Sequence, residues 1–293
     1  MNLCDIAYVK RLMARYQTGT KKSFGQNFLI NKEIPESIAQ ASYSYHLTKS
    51  KKKSLAVEIG PGIGCLTYEL AKVYDKVIAI EIDSTLLPIL EETLGEFKNV
   101  EVINKDFLKM DLEEFFGNYD EEYNISVCAN LPYYITTPII MALLERARGY
   151  LTSITVMVQK EVADRICATT KKGDYGAITA SISYYGEAKK LFDVSPDNFL
   201  PSPKVTSTVV RIELYDKVKY QVNSEEILFK TIQGAFSQRR KTLLNSLSSY
   251  FSNIPKDKIL EVILSLGFSE SIRGEKLTIE DFCVLSNKLG EIK

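Results

Sequence analysis

A tetrapeptide near the middle of the chain, Asn130-Leu131-Pro132-Tyr133, combines groups that could hold a flat polar ligand. It follows an apolar run at residues 125–129, which predicts a buried strand that ends at the motif. Because proline has no N–H and a fixed φ, main-chain carbonyls beside it can point away from a β-ladder. With the Asn130 amide oxygen and the Tyr133 ring, the motif offers two acceptors beside a stacking surface, which suits a nucleobase with an exocyclic amine. A Pro-containing turn with a capping Asn is the alternative.

A glycine-rich segment, Glu58 to Gly64, follows an earlier strand pattern at residues 55–59. Its glycines permit a tight turn and close approach of the backbone to a ligand. The spacing is G-x-G-x-G, whereas the dinucleotide fingerprint requires glycine or alanine near position 65, where Cys65 stands. The loop therefore favours a ligand other than a pyrophosphate.

Two carboxylates follow the next two predicted strands. Glu81 lies near the end of the run at residues 76–82, and Asp106 follows the run at residues 100–103. Glu81 is placed like the acid that binds ribose hydroxyls in nucleotide sites. Two acids at one edge repel phosphate but favour a ribose diol, an amine and a positive charge. S-adenosylmethionine carries all of these, so the sequence predicts it as cofactor; a helix cap or surface charge is the alternative for either acid alone.

Strand and helix patterns alternate through the first half of the chain. The strand patterns at residues 55–59, 76–82, 100–103, 125–129 and 154–158 are separated by helical patterns at residues 66–73, 85–94, 112–116 and 137–147. This alternation predicts an α/β fold with right-handed βαβ units and a mostly parallel sheet, whose carboxyl edge binds ligands. Runs at residues 190–194 and 205–214, joined by a Pro-rich turn, predict an antiparallel pair at the edge of that sheet.

Only helical patterns follow residue 223, which predicts a small all-helical C-terminal domain. The predicted organisation is a basic, mobile N-terminal arm at residues 1–22 with one series of helical turns, a catalytic domain at residues 23–220 and the helical domain at residues 221–293. One helix is predicted to begin at Arg240.

The charge balance restricts how the protein could bind nucleic acid. The 293 residues include 37 basic and 37 acidic side chains, so the formal net charge is zero. A neutral chain does not coat nucleic acid by bulk attraction, so binding would need local basic patches. The predicted RNA-binding residues are Lys21, Lys22, Arg239, Arg240 and Lys241. The alternative for any one patch is a solvated loop or helix face.

The remaining composition is that of an ordinary globular protein, with 45% hydrophobic and 25% charged residues. The sequence has no apolar run of membrane-spanning length and no secretory leader pattern, so we expect a cytoplasmic protein. Five cysteines without a CxxC pair and a single histidine, His46, support neither a disulfide framework nor a metal site. His46 is expected at the surface or at a helix end.

Several motifs together carry a family resemblance. They are Phe24 to Leu29, Glu58 to Gly64, Asn130 to Tyr133 with Thr136-Thr137-Pro138, Phe199 to Val205, and Ala235 to Leu243. In combination they resemble the ribosomal RNA adenine N6-dimethyltransferase family, in particular its bacterial small-subunit (16S) branch, over nearly the whole chain. The combination is specific, although an N-x-P-Y tetrapeptide also occurs in other amino-methyltransferases.

The resemblance implies a Rossmann-like class I methyltransferase fold that uses S-adenosylmethionine. Gln26, Asn27 and Leu29 would close over the cofactor, and Gly60 and Gly62 would lie against its methionine part. Glu81 would hold its ribose and Asp106 would meet its adenine. The implied cofactor contacts are therefore Gln26, Asn27, Leu29, Gly60, Gly62, Glu81, Asp106 and Asn130.

The resemblance also implies how the target base is held. Asn130 and the carbonyl of Leu131 would accept hydrogen bonds from an adenine N6 amine, while Tyr133 and Phe199 would stack on the base. The expected substrate is a pair of adjacent adenosines near the 3′ end of 16S rRNA, in the small ribosomal subunit or its precursor. A monomeric enzyme with a role in ribosome biogenesis is expected.

Two alternatives remain open at this point. The sister group that dimethylates 23S rRNA and gives macrolide resistance tends to have Gly-Ser-Gly-Lys-Gly in the loop, Asn-Ile-Pro-Tyr at the site and a more basic chain. Gly60-Pro61-Gly62-Ile63-Gly64 and Leu131 favour the small-subunit group. A non-catalytic ribosome-assembly or transcription factor on the same scaffold is the other alternative.

Overall fold

The structure is a computed structural model that describes residues 2–17, 19, 26–48, 52–170, 174–238 and 240–292. The chain packs as two compact units, the first of residues 1–163 and 188–216 and the second of residues 164–187 and 217–293. Residues 164–187 thus pack with the C-terminal helices, although they precede the predicted domain boundary at residue 220. The division by function into residues 1–22, 23–220 and 221–293 stays a prediction.

The first unit contains a seven-stranded sheet in the order β4-β3-β2-β5-β6-β9-β7 and a two-stranded sheet of β1 and β8. The strands are β1 Phe28–Leu29, β2 Lys53–Ile59, β3 Lys76–Glu81, β4 Val100–Asn104, β5 Tyr123–Asn130, β6 Leu151–Gln159, β7 Gly186–Val194, β8 Phe199–Leu200 and β9 Ser207–Leu214. Strands β2 to β6 pair in parallel, and β9 pairs antiparallel with β6. The predicted α/β fold with an antiparallel edge is confirmed.

The loops after the parallel strands meet at one edge of this sheet. The central strand β2 is buried along its length apart from Lys53, as expected for a parallel strand covered on both faces. Just beyond it, the amide of Gly60 donates to the carbonyl of Ile80 in β3 at 2.9 Å. The amide of Leu131, just beyond β5, donates to Met157 of β6 at 3.2 Å. These bonds fix the loops that follow β2 and β5 to their neighbouring strands.

The helices of the first unit cover this sheet. They are α1 Ile6–Arg15, α2 Glu33–His46, α3 Cys65–Ala71, α4 Leu87–Leu94, α5 Leu112–Gly117 and α6 Thr136–Arg146; α7 Lys160–Ile166 follows β6. His46 is the last residue of α2, as expected for a helix end. It is not at the surface, because it is 3% exposed and its ring stacks on Tyr43 with centroids 5.8 Å apart. No helix in the described ranges is long and apolar enough to cross a membrane.

The N-terminal segment differs from the expected mobile arm. Helix α1 is capped by Asp5, whose side chain accepts from the amide of Tyr8, and it buries Val9 and Leu12. At its end, Arg15 donates to both carboxylate oxygens of Glu92, at 2.7 and 2.8 Å. The prediction of mobility is therefore wrong for residues 2–17, because an apolar face hidden in a basic segment packs into the core of the first unit.

The second unit is helical, as predicted for the C-terminal region. Its helices are α8 Ala177–Tyr185, α9 Glu225–Phe236, α10 Leu243–Tyr250, α11 Lys256–Ser265 and α12 Ile279–Gly290. Helix α9 packs against α8, α10 and α12. Ser224 caps α9 by accepting from the amide of Ile227.

One helix boundary in the second unit was predicted wrongly. Helix α10 begins at Leu243 rather than at Arg240. The hydroxyl of Thr242 accepts from the amide of Asn245 and so fixes the first turn. Arg240 and Lys241 are exposed in the loop before this cap, and Arg239 lies outside the described residues.

Candidate active site

A cavity opens at the carboxyl edge of the parallel strands, where the sequence places the ligand. It encloses about 1130 Å³, a volume that includes space open to solvent. Among its lining residues are these sequence-predicted ones: Gln26, Asn27, Leu29, Gly60, Gly62, Glu81, Asp106, Asn130, Leu131 and Tyr133. The predicted cofactor residues and most of the predicted target-binding residues thus share one cavity. Lys21 and Lys22 lie outside the described residues.

The loop after β2 forms the floor of this cavity, and two of its glycines are required there. Gly62 has a φ of 60°, and a Cβ at this position would lie 3.1 Å from the ring of Phe28. Gly64 has a φ of 91° and directly precedes α3. Gly62 lines the cavity, so its backbone can present itself directly to a ligand. Gly64 does not line it; a Cβ there would lie 3.1 Å from the hydroxyl of Thr93, so this glycine allows the loop to pack against α4.

Glu81 joins this loop to the end of β3. One carboxylate oxygen accepts from the amide of Asp83 at 2.7 Å, and the other accepts from the amide of Gly62 at 3.2 Å. Burial raises the pKa of Glu81, while these two backbone donors oppose the rise. Each oxygen still has a free lone pair, so Glu81 can fix the glycine loop and also accept from ligand hydroxyls.

Glu58 is a second acid in the cavity wall, and the sequence analysis gave it no role. Its side chain is 1% exposed, and its Oε2 has no hydrogen-bond partner among the described residues. Burial raises the pKa of Glu58 to about 8, and the nearby charge of Glu81 adds to the rise. The Thr67 hydroxyl is close enough to oppose this rise in pKa, although the two side chains form no hydrogen bond of normal geometry. A buried carboxyl oxygen without a hydrogen-bond partner fits a ligand that brings a positive charge.

Asp106 and Gln26 lie on other parts of the same cavity wall. Asp106 caps the short 3-10 helix Phe107–Lys109 by accepting from the amide of Leu108 at 3.2 Å. Its carboxylate also lies 3.4 Å from the ammonium of Lys109. Gln26 donates to Asp83 at 3.2 Å, which holds the segment before β1 against the end of β3.

Asn130 is held so that its acceptor is available. Its side-chain nitrogen donates to the carbonyl of Asn27 at 3.3 Å, which leaves its oxygen for another partner. The carbonyl of Pro132 already accepts from Ile135 and Thr136, at 3.2 and 3.1 Å. No described backbone N–H donates to the carbonyl of Leu131. Two unused acceptors therefore belong to consecutive residues in the cavity wall, as the tetrapeptide predicts.

The two predicted stacking rings differ in position. Tyr133 lines the cavity, and its hydroxyl is 3.0 Å from that of Ser207 in β9. Phe199 is not among the residues that line the cavity. It is 3% exposed and lies opposite Leu29 in the pairing of β1 with β8. The stacking role of Phe199 stays a prediction, and it would require the ring to become exposed.

Sequence reasoning also missed two exposed apolar side chains of the cavity. Ile82, between Glu81 and Asp83, is 48% exposed, and Tyr134 is 59% exposed. Both line the cavity. The available signal was their position: Ile82 directly follows Glu81 at the end of β3, and Tyr134 directly follows Tyr133 in the loop after β5.

The family model for ribosomal RNA adenine dimethylase matches residues 18–290. The chain belongs to this family. A curated relative from Alkaliphilus oremlandii, ribosomal RNA small subunit methyltransferase A, is 44% identical over 282 residues and is matched over 96% of each chain. A protein of the same name from Clostridioides difficile is 44% identical over 95% of this chain and 93% of its own.

Solved structures of related enzymes agree with the fold. A dimethyladenosine transferase from Plasmodium falciparum matches 88% of this chain and 95% of its own, with 26% identity and a TM-score of 0.69. A 23S rRNA methyltransferase matches 90% of this chain and all of its own, with 23% identity and a TM-score of 0.64. The latter likeness concerns the fold alone.

Membership in the rRNA adenine dimethylase family makes S-adenosylmethionine the methyl donor. The residues of the cavity fit this cofactor. Glu81 offers acceptors for ribose hydroxyls, Ile82 offers an apolar surface for a base, and Oε2 of the buried Glu58, which has no partner among the described residues, suits a cation.

Proposed function

We propose that the protein dimethylates the N6 amines of two adjacent adenosines near the 3′ end of 16S rRNA in the small ribosomal subunit. One observation carries the proposal: the free acceptors of Asn130 and Leu131 open into the same cavity as the acids and glycines of the cofactor wall. The small-subunit names of the curated relatives support the choice of RNA.

The residues of the cavity fall into two groups. Gln26, Asn27, Leu29, Gly60, Gly62, Glu81 and Asp106 hold the cofactor, whose contribution when bound is a methyl group on positively charged sulfur. Asn130 and Leu131 hold the target amine, and Tyr133 stacks on the adenine. Asn130 also borders the cofactor through its bond to Asn27.

The two acceptors also make the amine reactive. An exocyclic amine is a poor nucleophile because its lone pair is delocalised into the ring. Hydrogen bonds to Asn130 Oδ1 and Leu131 O favour a pyramidal nitrogen and aim its lone pair at the methyl group. No side-chain base is needed, because the alkylated nitrogen is strongly acidic. Accordingly, His46, the single histidine of the chain, is not among the residues that line the cavity.

We assign catalysis to the first unit and part of the RNA contact to the exposed Arg240 and Lys241 of the second. The N-terminal residues Lys21 and Lys22 are a second proposed contact. The enzyme would be cytoplasmic, because its substrate is the ribosomal subunit or its precursor. It would need no metal ion, because its chemistry needs only positioned acceptors. We propose that it acts as a monomer.

A direct test incubates the protein and radiolabelled S-adenosylmethionine with small subunits that lack the two dimethyladenosines, and separately with large subunits. We expect label only in the small subunit, as dimethyladenosine at two adjacent positions, mapped by nuclease digestion and mass spectrometry. Label in the large subunit would favour the 23S alternative. Binding to small subunits without any methyl transfer would favour a non-catalytic assembly factor.

A further inference from the structure

The ring of Tyr134 is exposed at the cavity, and no hydrogen bond or ring contact to a described residue fixes it. It is 59% exposed, and its hydroxyl makes no hydrogen bond with a described residue. The neighbouring ring of Tyr133 is instead fixed through its hydroxyl to Ser207, and Phe199 is buried. Tyr134 is therefore a second aromatic ring of the cavity wall, beside Tyr133, whose exposed face can stack on a ligand.

A basic and an apolar side chain are exposed in the segment before β9, the strand that contacts the neighbouring Tyr133 through Ser207. Ser207, which contacts Tyr133, is three residues after Lys204, so Lys204 is within roughly 10 Å of it along the chain. Lys204 is exposed and has no carboxylate partner among the described residues, and Val205 is 42% exposed. An aromatic ring beside a basic side chain is the combination that binds single-stranded nucleic acid.

This combination suits a nucleotide outside the cavity. The site holds one adenine at a time between its acceptors and Tyr133, yet the proposed substrate has two target adenosines in a row. While one occupies the cavity, the other must lie beside its opening. Resting on the proposed function, we propose that Tyr134 is the platform on which this second adenosine stacks, with Lys204 near its phosphate.

The test compares Tyr134→Leu, which keeps an apolar side chain without a ring, with Tyr134→Phe, which keeps the ring. The substrates are small subunits with unmodified 16S rRNA and subunits in which one of the two adenosines is replaced by uridine. The uridine subunits report methylation of the remaining adenosine. Isothermal titration calorimetry with S-adenosylmethionine checks that the cofactor site is unchanged.

For Tyr134→Leu we expect KM for unmodified subunits to rise roughly 5- to 150-fold, the range that one base–aromatic stack supplies, while cofactor affinity stays the same. Tyr134→Phe should behave like the wild type, because the hydroxyl has no partner to lose. The uridine replacement should raise KM for the wild type and have little further effect on Tyr134→Leu, since both changes remove the same stack. Lys204→Gln should reduce the salt dependence of subunit binding.

Two results would overturn the inference: an unchanged KM for Tyr134→Leu, or effects of Tyr134→Leu and uridine that simply add. A wild-type protein that fails to methylate unmodified small subunits would instead overturn the proposed function, so the two failures are distinguishable.

Discussion

The side-chain nitrogen and oxygen of Asn130 have different hydrogen-bond partners. Its nitrogen is bonded to Asn27, while its oxygen faces the proposed target amine. Asn130→Ala removes that acceptor and the single hydrogen bond to Asn27, but it leaves the glycine loop and Glu81 in place. We expect cofactor affinity measured by calorimetry to stay near wild type and the single-turnover methylation rate to fall about 100-fold or more.

Asn130→Asp is the matched control: it keeps a side-chain oxygen as acceptor, while it replaces the donor to Asn27 by a second oxygen and adds a negative charge. It should retain more activity than Asn130→Ala. A normal methylation rate in Asn130→Ala would exclude the acceptor role.

Glu81 has a double role, so its removal has two effects. Glu81→Ala takes away the proposed ribose acceptors and the bonds from Gly62 and Asp83. Calorimetry should show cofactor affinity weaker by about 3 kcal/mol, the scale of lost charge-assisted hydrogen bonds. Glu122→Ala, which removes an exposed carboxylate paired with Lys53, should bind normally. A folded Glu81→Ala protein of unchanged affinity would remove Glu81 from the site.

Glu58 gives the folded protein a distinctive pH dependence. Its pKa rises from the ordinary value of 4.5 to about 8 on burial. Between these pH values the folded protein keeps a proton that the unfolded chain releases, so this group lowers the free energy of unfolding as the pH rises. Above pH about 8 the loss of unfolding free energy that Glu58 causes is complete, and below pH about 4.5 there is no such loss.

Glu58→Gln should remove this dependence, because glutamine does not titrate. Urea unfolding from pH 5 to 8 should show a smaller loss of stability with rising pH in Glu58→Gln than in the wild type. Parallel stability curves for the two proteins would mean that Glu58 does not titrate in this window.

At the scale of elements, helix α1 behaves as part of the core of the first unit. Leu12 is 2% exposed, so Leu12→Ala should lower the free energy of unfolding by about 2–4 kcal/mol. Arg11 is exposed on the same helix, and Arg11→Ala should change the free energy of unfolding by less than about 0.5 kcal/mol. Equal effects of the two substitutions in urea unfolding would indicate that residues 2–17 do not contribute to the core.

The parallel strands were predictable because their signal is local. A strand buried on both faces is a short apolar run, and β2, β3 and β5 each end at a polar or glycine motif. Helix α1 was not predicted as packed, because few apolar residues form its buried face and its composition is basic. Its burial depends on tertiary contacts that the segment itself does not reveal.

The features of the site likewise divide into those that local sequence patterns predict and those that depend on tertiary packing. The shared edge of Gly60, Glu81 and Asn130 follows from topology, so the sequence predicted it. The burial of Phe199 depends on the pairing of β8 with β1, two segments far apart in the chain. The missing partner of Glu58 and the orientation of the Asn130 amide depend on side-chain packing, which no local pattern encodes.

At the scale of the whole molecule, a protein of zero net charge must bind RNA through a few cations. Arg240→Gln with Lys241→Gln should weaken binding to small subunits and reduce the slope of log affinity against log salt by up to roughly 1.5, with cofactor affinity unchanged. Filter binding across a salt series measures both quantities.

The matched control neutralises two cations of the second unit that already have carboxylate partners. Lys230 pairs with Glu226, and Lys258 pairs with Glu261 at 2.8 Å. Lys230→Gln with Lys258→Gln should leave the salt slope nearly unchanged. If both double variants gave the same slope as the wild type, the N-terminal Lys21 and Lys22 would become the better candidates for the RNA contact.

In the proposed mechanism, the paired acceptors of Asn130 and Leu131 would also determine when the reaction ends. Adenosine offers them two hydrogens on N6, the singly methylated base offers one, and the doubly methylated base offers none. An acceptor left without a donor costs about 1–3 kcal/mol, so the hold on the base weakens with each methyl group. The singly methylated base would still be held by one N6 hydrogen bond. The doubly methylated base would have lost both hydrogen bonds and would be released. The two oxygens proposed to bind the substrate would thus also favour release of the doubly methylated product, because it has no N6 hydrogen left to donate.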